Sequence, residues 1–151
     1  MAIPPQPCTS TAVVELATDP LRASWLTCEL RANYPMALEP NGKLLWVGFR
    51  LPERLAAFDT ASGTIQTSAA TCGDTDDLFV DDRSKRIYVI CGSGEIGVYD
   101  TSRGGAIRIG TVPTRSGAST VLLVPQLDRL YVAARVTLTE PGAMLIYRPP
   151  P

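Results

Sequence analysis

Apolar residues in this chain fall in short runs broken by Gly, Pro, Asn and Asp. Within the runs, polar and apolar positions alternate and do not recur every three or four residues. Short runs rich in Val, Ile, Thr, Tyr, Phe and Trp, bounded by turn residues, read as β-strands. No segment sustains a helical period. Thr11 to Leu16 reads as a short strand. After a turn at Ala17 to Pro20, Ser24 to Leu30 reads as another. In this second strand Trp25, Thr27 and Glu29 share one face, and Leu26, Cys28 and Leu30 share the other. Both faces are mixed, as in a strand covered on both sides.

Two strands then flank Pro40-Asn41-Gly42, where Asn and Gly tolerate the positive φ of a tight hairpin. Leu55 to Phe58 follows, then the turn Asp59 to Gly63, then Thr64 to Ala69. The same order returns in Leu78 to Val80, Ile87 to Ile90, Ile96 to Tyr99 and Ile107 to Val112. It returns again in Thr120 to Val124, Leu130 to Ala134 and Met144 to Tyr147, before Arg148 and three prolines that cannot donate to a ladder. Leu45-Trp46-Val47, Ile87-Tyr88-Val89 and Leu130-Tyr131-Val132 are equivalent, with spacings of 42 and 43. Phe58-Asp59-Thr60 and Tyr99-Asp100-Thr101 are equivalent, and Tyr147-Arg148 is a truncated copy. In the Asp-Thr turns the side chains are expected to bond backbone N–H groups two residues on.

Four short strands at a period near 40 residues are the signature of a β-propeller blade. The chain therefore reads as all-β, a half-propeller of about three four-stranded antiparallel blades. Residues 1–10 read as a Pro-rich tail and 11–30 as two strands of a partial blade. Residues 31–70 and 71–114 read as complete blades, 115–148 as a three-stranded blade, and 149–151 as a tail.

Composition changes this picture mainly by exclusion. With 151 residues the chain is long enough for a real core. A net charge of -1 without a basic stripe argues against nucleic acid. No apolar run reaches the roughly 18 residues of a membrane span. No signal-peptide pattern is visible, so the chain is read as cytosolic or as having lost a leader. There is no histidine, which removes Ser-His-Asp and Cys-His chemistry. None of Cys8, Cys28, Cys72 and Cys91 lies in a C-x-x-C pair. Small buried hydrophobes are the preferred reading of Cys28, Cys72 and Cys91. Cys72 and Cys91 fall near the same end of adjacent strands, so a disulfide there is the alternative in an oxidising compartment.

The motif R-x-Y-V at Arg86 to Val89 and Arg129 to Val132, with Val98-Tyr99-Asp100-Thr101, resembles the YVTN/YncE-like family of bacterial β-propellers. The resemblance covers about residues 12–148 and is most specific at Ala32 to Pro40, Cys72 to Asp81 and Val124 to Ala133. Those stretches look like the C-terminal half of such proteins. The resemblance implies a ring of about seven blades in the family, a periplasmic or secreted location, and recognition more than a reaction. Ser119 departs from the Arg expected there in the family.

The strand count is too small for one closed ring. An open arc exposes strand edges and apolar blade faces. One expectation is therefore a homodimer about a two-fold axis, in which Ser24 to Leu30 of each copy completes the other's last blade in a ring of about six blades. The rival is a fragment of a longer periplasmic propeller of unknown ligand.

Candidate chemistry concentrates where the innermost strands begin. Gly73-Asp74-Thr75-Asp76-Asp77 carries three carboxylates in four residues at the expected channel mouth. Asp74, Asp76 and Asp77 could take Ca²⁺ or a cationic ligand, or could simply turn the backbone and face water. Asn33, Tyr34, Ser119 and Thr120 hold equivalent positions in neighbouring blades, giving a polar funnel for a small polar ligand or a protein. Arg50 and Arg54 could contact an anion, with Glu53 between them as the internal neutraliser. The aromatic series Trp25, Trp46, Phe58, Tyr88, Tyr99, Tyr131 and Tyr147 reads as packing between blades. No cofactor is implied. The expected function is a non-enzymatic binding or assembly module. The alternative is a metal-assisted, lactonase-like hydrolase, which fold analogy alone cannot support.

Overall fold

The computed structural model describes residues 8–14, 16–17 and 21–149. Among them thirteen strands form four antiparallel sheets. β1 (Ser10–Val14) and β2 (Leu21–Leu26) form a two-stranded sheet. β3 (Arg31–Leu38), β4 (Leu44–Leu51), β5 (Glu53–Asp59) and β6 (Ile65–Ala70) form the first full sheet in chain order. β7 (Thr75–Asp81), β8 (Arg86–Cys91), β9 (Glu95–Asp100) and β10 (Ile107–Pro113) form the middle one. β11 (Thr120–Val124), β12 (Arg129–Ala134) and β13 (Ala143–Tyr147) form a three-stranded last sheet.

The repeat seen in the sequence is a repeat of register. Met36, Leu78 and Val121 on the innermost strands pair with Val47, Val89 and Val132 respectively. Four residues upstream of each, the chain adopts the left-handed conformation, at Ala32 (φ 53), Asp74 (φ 58) and Gly117 (φ 76). In the first two sheets a bulge follows, between Asn33 and Met36 and between Thr75 and Asp77. β7 lies beside β3 on one side and β11 on the other, so the three innermost strands are neighbours.

The core lies in the seams between sheets. Trp46, Leu55 and Ala57 of the first sheet pack on Leu78, Ile87, Val89 and Tyr99 of the middle one. Tyr88, Ile90, Ile96 and Val98 pack on Val121, Leu130, Val132 and Ala134 of the last. Each fully buried Ile or Val here contributes about 1.5–3 kcal/mol over leaving it in water. On the far face of the first sheet, Val47, Phe49, Ala56 and Phe58 lie under Trp25 and Leu30. The Trp25 and Phe58 rings stack with centroids 5.8 Å apart. A Cβ on Gly63 would overlap the Trp25 indole, so glycine is required there for space as well as for its φ of 70°.

The Asp-Thr turns divide the labour differently from the expectation. Asp59 Oδ1 accepts the Ala61 and Ser62 N–H groups at 3.1 and 2.7 Å, and Asp100 Oδ1 accepts that of Ser102 at 2.8 Å. The threonine hydroxyls instead donate to carbonyls of the neighbouring turn, Thr60 to Gly42 at 2.6 Å and Thr101 to Lys85 at 3.1 Å.

The N-terminal reading needs two corrections. The second strand spans Leu21–Leu26, three residues earlier than expected at its start, and pairs only with β1. Thr27 leaves the ladder to bond Thr9, whose carbonyl accepts its N–H at 2.9 Å and whose hydroxyl meets the Thr27 hydroxyl at 2.8 Å. Cys8 to Ser10 are accordingly held against this segment and are not a tail. Of the expected elements, Met1 to Pro7, Glu15, Thr18 to Pro20 and the last two prolines lie outside the described residues.

The cysteines also differ from the preferred reading. Cys72 and Cys91 are bonded to each other, with Cα atoms 5.9 Å apart, and Cys8 is bonded to Cys28. Cys72 and Cys91 are both buried in the first seam, so they serve as core residues and as a covalent tie at once.

Candidate site at the channel mouth

The loops preceding β3, β7 and β11 share one end of the sheets with the β4–β5 and β8–β9 turns. There Arg50, at the end of β4, reaches out of its own sheet. Its Nε donates to the Thr75 carbonyl at 3.0 Å. Nη2 meets Asp76 Oδ1 at 2.5 Å and Nη1 meets Asp74 Oδ1 at 3.2 Å. The guanidinium lies over the Tyr34 ring, 4.6 Å from its centroid. Tyr34 and Asp76 are equivalent positions on adjacent blades, so this one cation fastens the two blades at the mouth.

The neighbouring blade is shaped to receive it. Gly92, at the β8–β9 turn, holds the position of Arg50 one blade on, as the pairing Phe49 with Arg54 and Cys91 with Glu95 shows. A Cβ on Gly92 would sit 2.8 Å from Asp76 Oδ2 and closer still to Asp74 Oδ2. Without a side chain there, both carboxylates fold over the turn towards Arg50. The Gly92 N–H also donates to the Asp74 carbonyl at 2.7 Å, holding the left-handed residue in place. In the last blade the same position is Arg135, whose guanidinium lies against Gly117.

Burial dominates the electrostatics of the acids. It pushes the Asp76 carboxyl above the ordinary carboxylate range, helped by the charge of Asp74 and opposed by Arg50. It likewise pushes Asp77 up, opposed by the Leu78 N–H that Asp77 Oδ1 accepts at 2.9 Å and helped by Asp76. The Asp59 and Asp100 carboxyls are lowered, chiefly by the backbone N–H groups of Ser62 and Ser102.

The structure thus brings together four of the expected residues, Tyr34, Asp74, Asp76 and Arg50. The remaining ones are apart. Asp77 turns back on its own strand. Thr120 lines a cavity of about 310 Å³ on the outward face of the last sheet, with Leu122, Tyr131 and Met144. Ser119 and Asn33 flank the mouth without a bond to the acidic cluster. Arg54 lies on another face, in a cavity of about 430 Å³ with Glu29, Leu30 and Ile65. Arg50 is neutralised by the next blade's aspartates, where the sequence pointed to Glu53. Asp74, Asp76 and Asp77 do not converge as a cation cage, and among the described residues no group of three acidic, Cys or His side chains is placed to hold a metal. Gly92 was the residue sequence reading missed. Its only signal was a glycine where the neighbouring repeats carry arginine.

No protein-family model matches the chain, and no curated protein sequence matches it. Solved structures do. A chain of Kuenenia stuttgartiensis hydrazine synthase superposes with a TM-score of 0.78 at 17% identity, over 92% of this chain and 40% of that one. A chain of a mitotic checkpoint complex gives 0.77 at 15% identity, over 93% and 43%. A Bacteroides uniformis protein provisionally assigned as a 6-phosphogluconolactonase gives 0.64 at 15% identity, over 92% and 50%. The chain thus spans 40–50% of the length of these neighbours. At such identities the likeness is one of fold, and the fold is that of β-propeller blades.

Proposed function

We propose that this chain is a non-enzymatic, YncE-like β-propeller module for binding and assembly, closing its ring through a second copy of itself. One observation carries the reading. Leu122, Tyr131, Ala133, Met144 and Ile146 on the last sheet hold the same register positions as Phe79, Tyr88, Ile90, Ile96 and Val98 on the middle sheet. The middle set packs into the seam beneath the next blade. On the last sheet Leu122, Met144 and Ile146 are 58%, 60% and 59% exposed. A face with seam composition calls for another blade. At the other end, Met36 and Leu38 are more than half exposed beside the β1–β2 sheet, which covers only the outer part of the first full sheet.

The mode of exchange differs from simple donation of the second strand. β2 is already paired with β1 along one edge, so it would meet a partner's last sheet as part of a β1–β2 ribbon and not as a single donated strand. Within the ring, the mouth built from Tyr34, Arg50, Asp74 and Asp76 is the recognition surface for a small polar ligand or a protein. A lactonase-like hydrolase reading has the Bacteroides uniformis neighbour in its favour. Against it, the two most prominent carboxylates at the mouth are committed to Arg50. Light scattering tests the proposal. A concentration-dependent dimer whose mass halves in Met144→Glu is expected. A monomer with a single cooperative melt would sink it.

A further inference from the structure

The end of the sheets opposite the mouth carries two seams built on the same turn. Glu39 to Leu44, Asp81 to Arg86 and Val124 to Arg129 each connect an innermost strand to the next, between the pairs Leu38–Leu45, Val80–Ile87 and Leu123–Leu130. Asn41, Arg83 and Gln126 are therefore equivalent, as are Lys43, Lys85 and Asp128. At the second seam Arg83 crosses to the last blade. Its Nη2 bonds the Pro125 carbonyl and meets Asp128 Oδ1 at 3.0 Å. The guanidinium closes that seam.

At the same end of the first seam no guanidinium among the described residues crosses in this way, and only the charge of Lys85 reaches Glu39 across it. Asn41, in the place of Arg83, bends back: its Nδ2 donates to Glu39 Oε2 at 3.2 Å and its Oδ1 accepts the Lys43 N–H at 2.8 Å. Lys85, in the place of Asp128, is held by Asp82 at 2.6 Å. A cavity of about 370 Å³ remains, with Trp46 and Val80 among its apolar lining residues and Glu39, Asp81, Asp82 and Lys85 among its polar ones. Trp46 is fixed there, its Nε1 donating to Glu39 Oε1 at 3.1 Å. Glu39, Asp81 and Asp82 line the cavity with one ammonium, Lys85, and the Arg83 guanidinium faces Asp81 at 3.7 Å, so the cavity keeps a net negative charge. Its volume falls in the range of small-ligand sites.

We infer that this first-seam cavity binds a small ligand bearing a guanidinium, which takes the place that Arg83 fills one seam on. Glu39 corresponds to Asp81, whose Oδ1 lies 3.7 Å from Arg83 Nε, and supplies the charge-assisted contact. Asp82 supplies a backbone carbonyl at the position of Pro125, together with a carboxylate that can turn from Lys85 to the ligand.

Agmatine is the probe, titrated by calorimetry and by tryptophan fluorescence. Saturable binding is expected, weakened about tenfold or more in Glu39→Gln through loss of the charged acceptor. In Asn41→Arg/Lys85→Asp, which rebuilds the Arg83–Asp128 stitch within the chain, binding should vanish and the melting temperature rise. Glu140→Gln, on the last blade and outside this cavity, should bind as wild type. Three results would overturn the inference: no saturation at millimolar agmatine, unchanged affinity in Glu39→Gln, or loss of binding in Glu140→Gln. Should the double variant fail to fold, Glu39→Gln and Glu140→Gln still decide it.

Discussion

The Tyr99 hydroxyl donates to the Ala70 carbonyl at 2.9 Å, joining the middle sheet to the last residue of the outermost strand before it. Tyr147 repeats the bond one blade on, to the Pro113 carbonyl at 3.0 Å. Phe58 has the same register position in the first sheet, where the partner is the Trp25 ring. The hydroxyl is thus present where the preceding sheet is a full blade and absent where it is the two-stranded one. Tyr99 is fully buried, so Tyr99→Phe leaves the Ala70 carbonyl without this donor and should cost about 1 kcal/mol. Tyr147→Phe, nearer to solvent, should cost less. Urea denaturation of both variants checks the order. Equal stability of Tyr99→Phe and wild type would remove the hydrogen bond from the account of inter-blade cohesion.

The Cys72–Cys91 bond closes a loop with a sequence separation of 19 that contains all of β7 and β8. Cross-linking a loop of this size restricts the unfolded chain by about 3 kcal/mol. Replacing both residues by Ala should lower stability by about that amount, plus the lost packing of two buried side chains. Thiol titration of the folded protein should find no reactive cysteine before reductant is added. Four reactive thiols in non-reducing denaturant would show that neither bond forms.

The blade count, the strand order and the register equivalences were legible because each blade repeats its own turn chemistry. Asp59-Thr60 and Asp100-Thr101 mark one turn, and Leu45-Trp46-Val47 and Ile87-Tyr88-Val89 mark one strand. The second strand ends at Leu26 although Thr27 and Cys28 look like strand residues. What removes them from the ladder is Thr9 and Cys8, eighteen and twenty residues away, and no local pattern encodes such contacts. The clustering of acids at the mouth was legible, but their partner was not. Arg50 and Asp76 are 26 residues apart, and proximity in sequence favoured Glu53. Seam faces read as simply apolar, so nothing in the alternation alone marked which face of the last sheet stays open.

The acids divide into two groups with opposite effects of pH. Asp59 and Asp100 are lowered in the folded state, so they add stability above the carboxylate's unfolded value and lose it as pH falls through their folded values. Asp76 and Asp77 are raised, so their effect runs the other way. Stability is fully retained below the unfolded value and is lost as pH rises through the folded one. Asp77→Asn keeps an acceptor for the Leu78 N–H and removes the buried charge. It should therefore be more stable than wild type at neutral pH and equal to it near pH ~2, well below the usual carboxylate range. Carboxyl carbon-13 titration supplies the independent check, with Asp76 and Asp77 titrating above Asp59 and Asp100. A uniform set of midpoints would contradict the burial argument.

Gly92 offers the sharpest test of the mouth, because its contribution depends on other residues. A methyl at this position would overlap the carboxylates of Asp74 and Asp76, which are the ends of flexible side chains but are held by Arg50. They can yield only by leaving the guanidinium. Gly92→Ala should therefore cost about 1–3 kcal/mol. Gly110→Ala, where nothing lies within 4 Å of the added methyl, should be close to neutral. In an Arg50→Met background the carboxylates are free to swing to solvent, and the cost of Gly92→Ala should fall. The difference is a coupling energy of about 0.5–3 kcal/mol in a double-mutant cycle. Additive costs would mean that Gly92 is required by the backbone of the turn and that the Arg50 clamp is independent of it.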